Sequence, residues 1–143
     1  MDVYNFFDNA EERFSKDSKE VTEKDIAELA SIIRSAEYRY FIFTHGTDAM
    51  ARNAKLLQGA LQDSGRVVVF VGAMIPLSMS AKHKSDAVDN LQFALEHIHE
   101  LENGVNMVGY NPQTKRRDFY NPDKVEKNFV VSKENLQLIF TSR

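Results

Sequence analysis

Cysteine is absent from the 143-residue chain, which excludes a disulfide framework and a thiolate metal site alike. Glycine-rich phosphate loops are missing too, since neither G-x-G-x-x-G nor G-x-x-x-x-G-K-[ST] occurs. No apolar run approaches the length needed to cross a bilayer. The start, Met1-Asp2-Val3-Tyr4-Asn5, has no basic flank and no long apolar stretch, so a secretory leader is not expected and the cytoplasm is the expected compartment. A formal net charge of −3 gives no reason to expect nucleic acid or an anionic membrane as partner. No internal repeat and no low-complexity segment is found. With hydrophobic residues at 43% and charged residues at 27%, the chain has the balance of a soluble globular protein. Its length suits one domain, residues 1–143, with a sizeable core.

Apolar residues alternate between strand-like runs and helical spacing. Val3 to Phe7 reads as a short strand. Thr22 followed by Asp25 resembles a capping box, and Ile26, Leu29, Ala30 and Ile33 form one stripe, which predicts a helix to about Ser35. Tyr40–Thr44 is the next strand, and a helix from Thr47-Asp48 to about Leu61 follows it, with Gly65 as its stop. Arg66–Val71 is the most apolar run in the chain, continuous rather than alternating, as expected of a parallel strand covered on both faces. A loop through Lys84 leads to Ser85-Asp86 and a third helix, where Ala87, Leu91, Ala94, Leu95, Ile98 and Leu101 keep helical spacing. Val105–Val108 is then a strand, Tyr110–Lys127 a polar loop, and Leu136–Phe140 a late short strand. Strands alternating with helices predict an α/β, three-layer sandwich around a mainly parallel, Rossmann-like or flavodoxin-like sheet with right-handed crossovers.

One turn stands out for chemistry. The strand Tyr40–Thr44 leaves the core and bends at Gly46, which sets Thr47 and Asp48 at the head of a helix. In open α/β sheets ligands bind at the carboxyl ends of strands. Two readings are open there, a helix cap made by Thr47 or Asp48 and a ligand site. A threonine hydroxyl attacks only when a base takes its proton, and a desolvated lysine is such a base. Spacing alone selects no lysine. His45 beside the turn has two roles open, base or packing. His97 and His99 are two apart on a helix and point to different faces, so they read as surface histidines rather than metal ligands. Lys115-Arg116-Arg117 reads as a solvated loop.

At these residues a resemblance enters. Thr44-His45-Gly46-Thr47-Asp48-Ala49-Met50 resembles the THGTDTM signature of bacterial-type L-asparaginases, amidohydrolases related to glutaminases and to the archaeal glutamyl-tRNA(Gln) amidotransferase D subunit. Val69–Pro76 is similar to the family's V-x-x-G-A-M-R-P strand and loop, and Ser85–Leu91 to its SDG-x-x-NL helix start. Asp17–Thr22 resembles its D-S-x-x-M-T segment, and Asp123–Asn128 its D-x-x-x-K-N segment. The resemblance implies a Thr-Lys-Asp triad of Thr47, Lys127 and Asp48, with Asp48 also contacting the substrate's α-amino group. It implies that Ser18 binds the α-carboxylate, that Lys19 stands at a second substrate contact, and that backbone at Gly46, Thr47 and Ala73 lines the pocket. It implies no metal and no organic cofactor.

Departures from the pattern bear on activity. The TGGTI motif that carries the family's other catalytic threonine is not found, nor is the tyrosine that follows it, nor the smaller C-terminal domain. Ala49, Ile75 and Ala87 replace the second threonine of the signature, the arginine of GAMRP and the glycine of SDG. The reading is therefore a truncated N-terminal domain of the family. Two functions follow: a weak L-asparagine or L-glutamine amidohydrolase with an incomplete site, or an inactive binding domain completed by oligomerisation or a partner chain. A parallel sheet without its first strand has an open edge, so a homo-oligomer, a dimer at least, is expected.

Overall fold

The computed structural model describes residues 3–5, 20–72, 86–131 and 136–142, of which residues 3–5, 126–131, 136 and 141–142 are described by backbone alone. Local chemistry accounts for the first elements. Strand β1 is Val3–Asn5. Helix α1, Glu23–Ser35, begins with the expected capping box: the Asp25 amide donates to Thr22 Oγ1 at 3.2 Å, and the Thr22 amide donates to Asp25 Oδ2 at 2.9 Å. Strand β2 spans Tyr40–Thr44 as predicted. Helix α2, Met50–Ala60, starts later than expected, with Ala49 at its N-cap and no side-chain cap hydrogen bond. It ends at Ala60 with Leu61 as its C-cap, close to the expected end, and Gly65, with φ of +72°, serves the turn into β3. Strand β3, Val67–Val71, is buried at every position, as a strand covered on both faces must be.

Helix α3, Ala87–His97, runs into a short 3₁₀ turn at Ile98–Glu100. Its buried face differs from the predicted stripe. Asn90, Ala94 and Ile98 point inward, whereas Val88, Leu91 and Leu95 are 57%, 36% and 44% exposed. The region read as a polar loop after Tyr110 is built of strands. Strand β4, Gly104–Asn111, turns back through Lys115 (φ +57°) into β5, Arg116–Tyr120. The Asn111 side chain accepts from the amides of Gln113 and Thr114, an Asx turn that closes the hairpin. Strands β6, Val125–Val131, and β7, Leu136–Ser142, make a separate antiparallel pair.

The main sheet has five strands in the order β1-β2-β3-β4-β5, parallel except for the last. Phe41, Phe43, Val68, Phe70, Val105 and Met107 face α1 and α2. Ile42, Val67, Val69, Val71 and Val108 face α3. β1 to β4 advance one way across the sheet, so crossovers of a single hand would put all three helices on one face. With α3 on the other face, β3–α3–β4 has the opposite hand to the two crossovers before it, and the expectation of uniformly right-handed crossovers does not hold. The reversal lets α2 and α3 approach the carboxyl end of β3 from opposite sides. The β6–β7 pair covers β4 on the α2 side, with Phe140 against Gly109 and Tyr120.

Candidate functional site

The carboxyl ends of β2 and β3 meet where the candidate residues lie. The His45 amide donates to the Val71 carbonyl at 2.9 Å, so the chain stays tied to β3 for one residue beyond β2. Gly46, Thr47 and Asp48 then turn before α2 begins. Ala49, not Thr47 or Asp48, occupies the N-cap position of α2, and it makes no side-chain cap hydrogen bond. Thr47 is half-buried and Asp48 exposed at this edge. Among the described residues the Thr47 hydroxyl has no hydrogen-bond partner, while its methyl lies against Gly72.

Gly72 is there for space. A Cβ at this position would strike the Met50 Cε methyl, lie 2.9 Å from the His45 carbonyl oxygen and 3.1 Å from Thr47 Cγ2. From the other face, Asn90 Nδ2 donates to the Gly72 carbonyl at 2.8 Å. Asn90 is itself buried and accepts from Arg117 Nε at 2.8 Å. Arg117 also donates to Gln137 Oε1 at 2.9 Å. It is therefore a structural residue, 18% exposed at its side chain, and the basic run does not read as a solvated loop at this position. The buried Asp86 carboxylate accepts the Leu138 amide at 3.0 Å, which ties β7 to the start of α3.

His45 is not a free base. Its Nδ1 lies 2.6 Å from the Gly46 carbonyl oxygen and its Nε2 3.0 Å from Asn53 Nδ2, while its ring meets Phe70 edge-on at 5.3 Å. Burial lowers its pKa below the ordinary 6.5; the hydrogen bond to Gly46 opposes that shift and the Arg52 charge adds to it. Of its two possible roles, packing of the turn is the one the structure adopts.

Gly46, Thr47 and Asp48 thus share one turn. Ser18, Lys19 and Ala73 lie outside the described residues, although their chain neighbours are fixed nearby. Arg52 donates to the Val21 carbonyl at 3.0 Å, three residues after Ser18, and Gly72 precedes Ala73. Lys127 lies on strand β6 opposite Phe140, not on a loop, and its side chain is outside the described set. β6 starts beside the far end of α2, where Gln58 donates to Asn121 and Asp123, and pairs at Phe129 with Leu138, the residue bonded to Asp86. Two residues of strand, about 7 Å, separate Lys127 from that level.

Sequence periodicity missed Arg52, Asn53 and Asn90. The available signal was a polar residue at a core position of a helix. Asn53 falls on the stripe of Met50, Ala54 and Leu57, and Asn90 on that of Ala94 and Ile98. Such a residue is buried only when hydrogen-bonded.

Elsewhere, an open groove of about 800 Å³ runs between α3 and the β4–β5 hairpin, with Asp89, Glu96 and Glu100 facing Lys115 and Arg116. It contains none of the predicted site residues. Among the described residues no group of three His, Asp or Glu could hold a metal ion, and no helix is long and apolar enough to cross a membrane.

Comparison with known proteins gives the family. A family model described as Asparaginase, N-terminal, matches residues 3–111. L-asparaginase 1 of Escherichia coli (strain K12) is 37% identical over 81 residues, which cover 55% of this chain and 23% of that protein. L-asparaginase 1 of Escherichia coli O157:H7 matches to the same extent. The aligned segment is thus under a quarter of these relatives' length, and the chain resembles one part of them. With the family model covering most of the chain and the signature turn seated at the carboxyl edge of a mainly parallel sheet, the chain belongs to the asparaginase family through its N-terminal domain.

Proposed function

We propose that the Thr47–Asp48 turn is the amino-acid site of a single domain that acts on the side-chain amide of L-asparagine or L-glutamine. The observation that supports this is the seating of Gly46, Thr47 and Asp48 as one turn between the carboxyl end of β2 and the start of α2, tied to the end of β3, at the sheet edge where α/β folds bind ligands. In this reading Thr47 is the hydroxyl group nearest the amide and Lys127 takes its proton. Asp48 holds the α-amino group, and its charge also raises the lysine pKa, so the base works only when partly desolvated. Ser18 and Lys19 receive the α-carboxylate, and backbone at Gly46 and Ala73 lines the pocket. The reaction needs no cofactor. A soluble, cytoplasmic homo-oligomer is the proposed setting, and a monodisperse monomer in sedimentation equilibrium at micromolar concentration contradicts the oligomer.

A second reading is favoured by the lack of a TGGTI motif in these residues: the turn binds the amino acid and does not hydrolyse it. Losing a principal nucleophile costs several orders of magnitude in rate. Ammonia release from L-asparagine and L-glutamine, measured beside Thr47→Ala and Lys127→Met, separates the two. Release abolished by either substitution supports the hydrolase. L-aspartate binding without release supports the second reading, and neither binding nor release overturns both.

A further inference from the structure

We infer that Arg52, Asn53 and His45 form a directional relay that fixes the Gly46–Thr47 turn against the chain entering α1, which makes all three positioning residues for the ligand site. What the turn does for a ligand rests on the proposed function; the relay itself does not.

The direction follows from which groups can only donate. A guanidinium has no acceptor. Arg52 Nε and one terminal nitrogen each lie 3.2 Å from the same Asn53 side-chain atom, so that atom must be the oxygen. The other end of the Asn53 amide is therefore NH₂, and it faces His45 Nε2 at 3.0 Å. An NH₂ group cannot accept, so Nε2 carries a lone pair. A neutral imidazole then holds its proton on Nδ1, aimed at the Gly46 carbonyl oxygen 2.6 Å away. The arginine thus specifies an amide orientation that in turn is consistent with one tautomer and one hydrogen bond at the peptide next to Thr47.

The same guanidinium donates to the Val21 carbonyl at 3.0 Å, next to the capping residue Thr22. Val21 lies on the chain entering α1 and Gly46 precedes Thr47, so one cation ties the chain entering α1 to the turn that carries the proposed hydroxyl group. Asn53 is fully buried, so the relay is shielded from water at its centre. The His45 N–H bond to Val71 and the contact of the Thr47 methyl with Gly72 hold the turn against β3, and the relay ties it toward α1.

The test reads the His45 ring directly by long-range ¹H–¹⁵N correlation on the labelled full chain. The wild type is expected as the neutral Nδ1–H tautomer. Arg52→Met removes an exposed side chain; the Asn53 oxygen loses its guanidinium donors, and the ring signals move toward the Nε2–H tautomer together with the Gly46 and Thr47 amides. Asn53→Asp places a carboxylate at Nε2 and converts His45 to the imidazolium at neutral pH. Affinity for L-aspartate, the probe ligand, is expected to fall on the order of tenfold in Arg52→Met. A wild-type ring protonated on Nε2 overturns the relay, as does an Arg52→Met variant with ring and turn signals unchanged. A wild-type chain with the Nδ1–H tautomer that binds no L-aspartate supports the relay and overturns the proposed function.

Discussion

Gly72→Ala tests how tightly the candidate turn is seated on β3. The added Cβ would meet three atoms, and they do not yield equally. The Met50 methyl is the far end of a flexible side chain and can swing away, although Met50 itself is fully buried. Thr47 Cγ2 at 3.1 Å must give by a few tenths of an ångström. The His45 carbonyl oxygen at 2.9 Å is backbone, and the same residue's amide is bonded to Val71 at 2.9 Å, so this contact can relax only by moving the turn as a unit. Overpacking of this kind costs about 1–3 kcal/mol. For a chain of this size that is a fall in Tm of roughly 3–10 °C. The displacement falls on residues 45–47, so the ligand site should suffer beyond the loss of stability. A misplacement of about 1 Å at a reacting group is worth about 100-fold in rate. Urea unfolding gives the first number, and the rate of ammonia release from L-asparagine below the unfolding transition gives the second. A variant with wild-type Tm and wild-type backbone shifts at residues 44–48 refutes the seating described here.

Other consequences can be checked independently. Thr22→Ala removes the hydroxyl that accepts the Asp25 amide, while the bond from the residue 22 amide to Asp25 remains, and should lower stability by about 1 kcal/mol in urea unfolding, with α2 unaffected. Arg117→Met leaves the buried Asn90 carbonyl without its donor and should cost about 1–3 kcal/mol, whereas a solvated arginine would cost almost nothing. Burial holds His45 neutral in the folded chain to a lower pH than in the unfolded chain, where it titrates near 6.5. Below 6.5 the unfolded state therefore takes up the proton first, and stability should fall as the pH drops from 6.5 toward the folded-state pKa, by at most about 1.4 kcal/mol per pH unit. His45→Gln should flatten that part of the profile.

The elements that periodicity predicted well are those whose cause is local. The run Tyr40–Thr44 can be nothing but a buried strand, and Thr22 with Asp25 satisfies its own helix end. What was misread depends on partners far along the chain. On α3 the inward face carries Asn90 because Gly72 and Arg117 satisfy it, and Leu91 and Leu95 face out; hydrophobic spacing cannot register a satisfied amide. The β4–β5 hairpin does not stand out in the sequence because an edge strand of polar residues lacks the alternation that marks a half-buried one, although Asn111 closes its turn. At the site, Gly46, Thr47 and Asp48 were legible as a turn after a strand. Lys127, Ser18, Lys19 and Ala73 came from resemblance to the family, since no local pattern marks them. The relay through Arg52 and Asn53 was invisible for the reason that hid Asn90.

The central claim is that the turn at the carboxyl edge of β2 and β3 holds a small amino acid. Titrating the ¹⁵N-labelled chain with L-aspartate tests it most directly. The account predicts saturable shifts at Gly46, Thr47, Asp48 and Gly72, weakened by Thr47→Ala. Shifts confined to the groove between α3 and the β4–β5 hairpin, or no shifts at millimolar ligand, would contradict it.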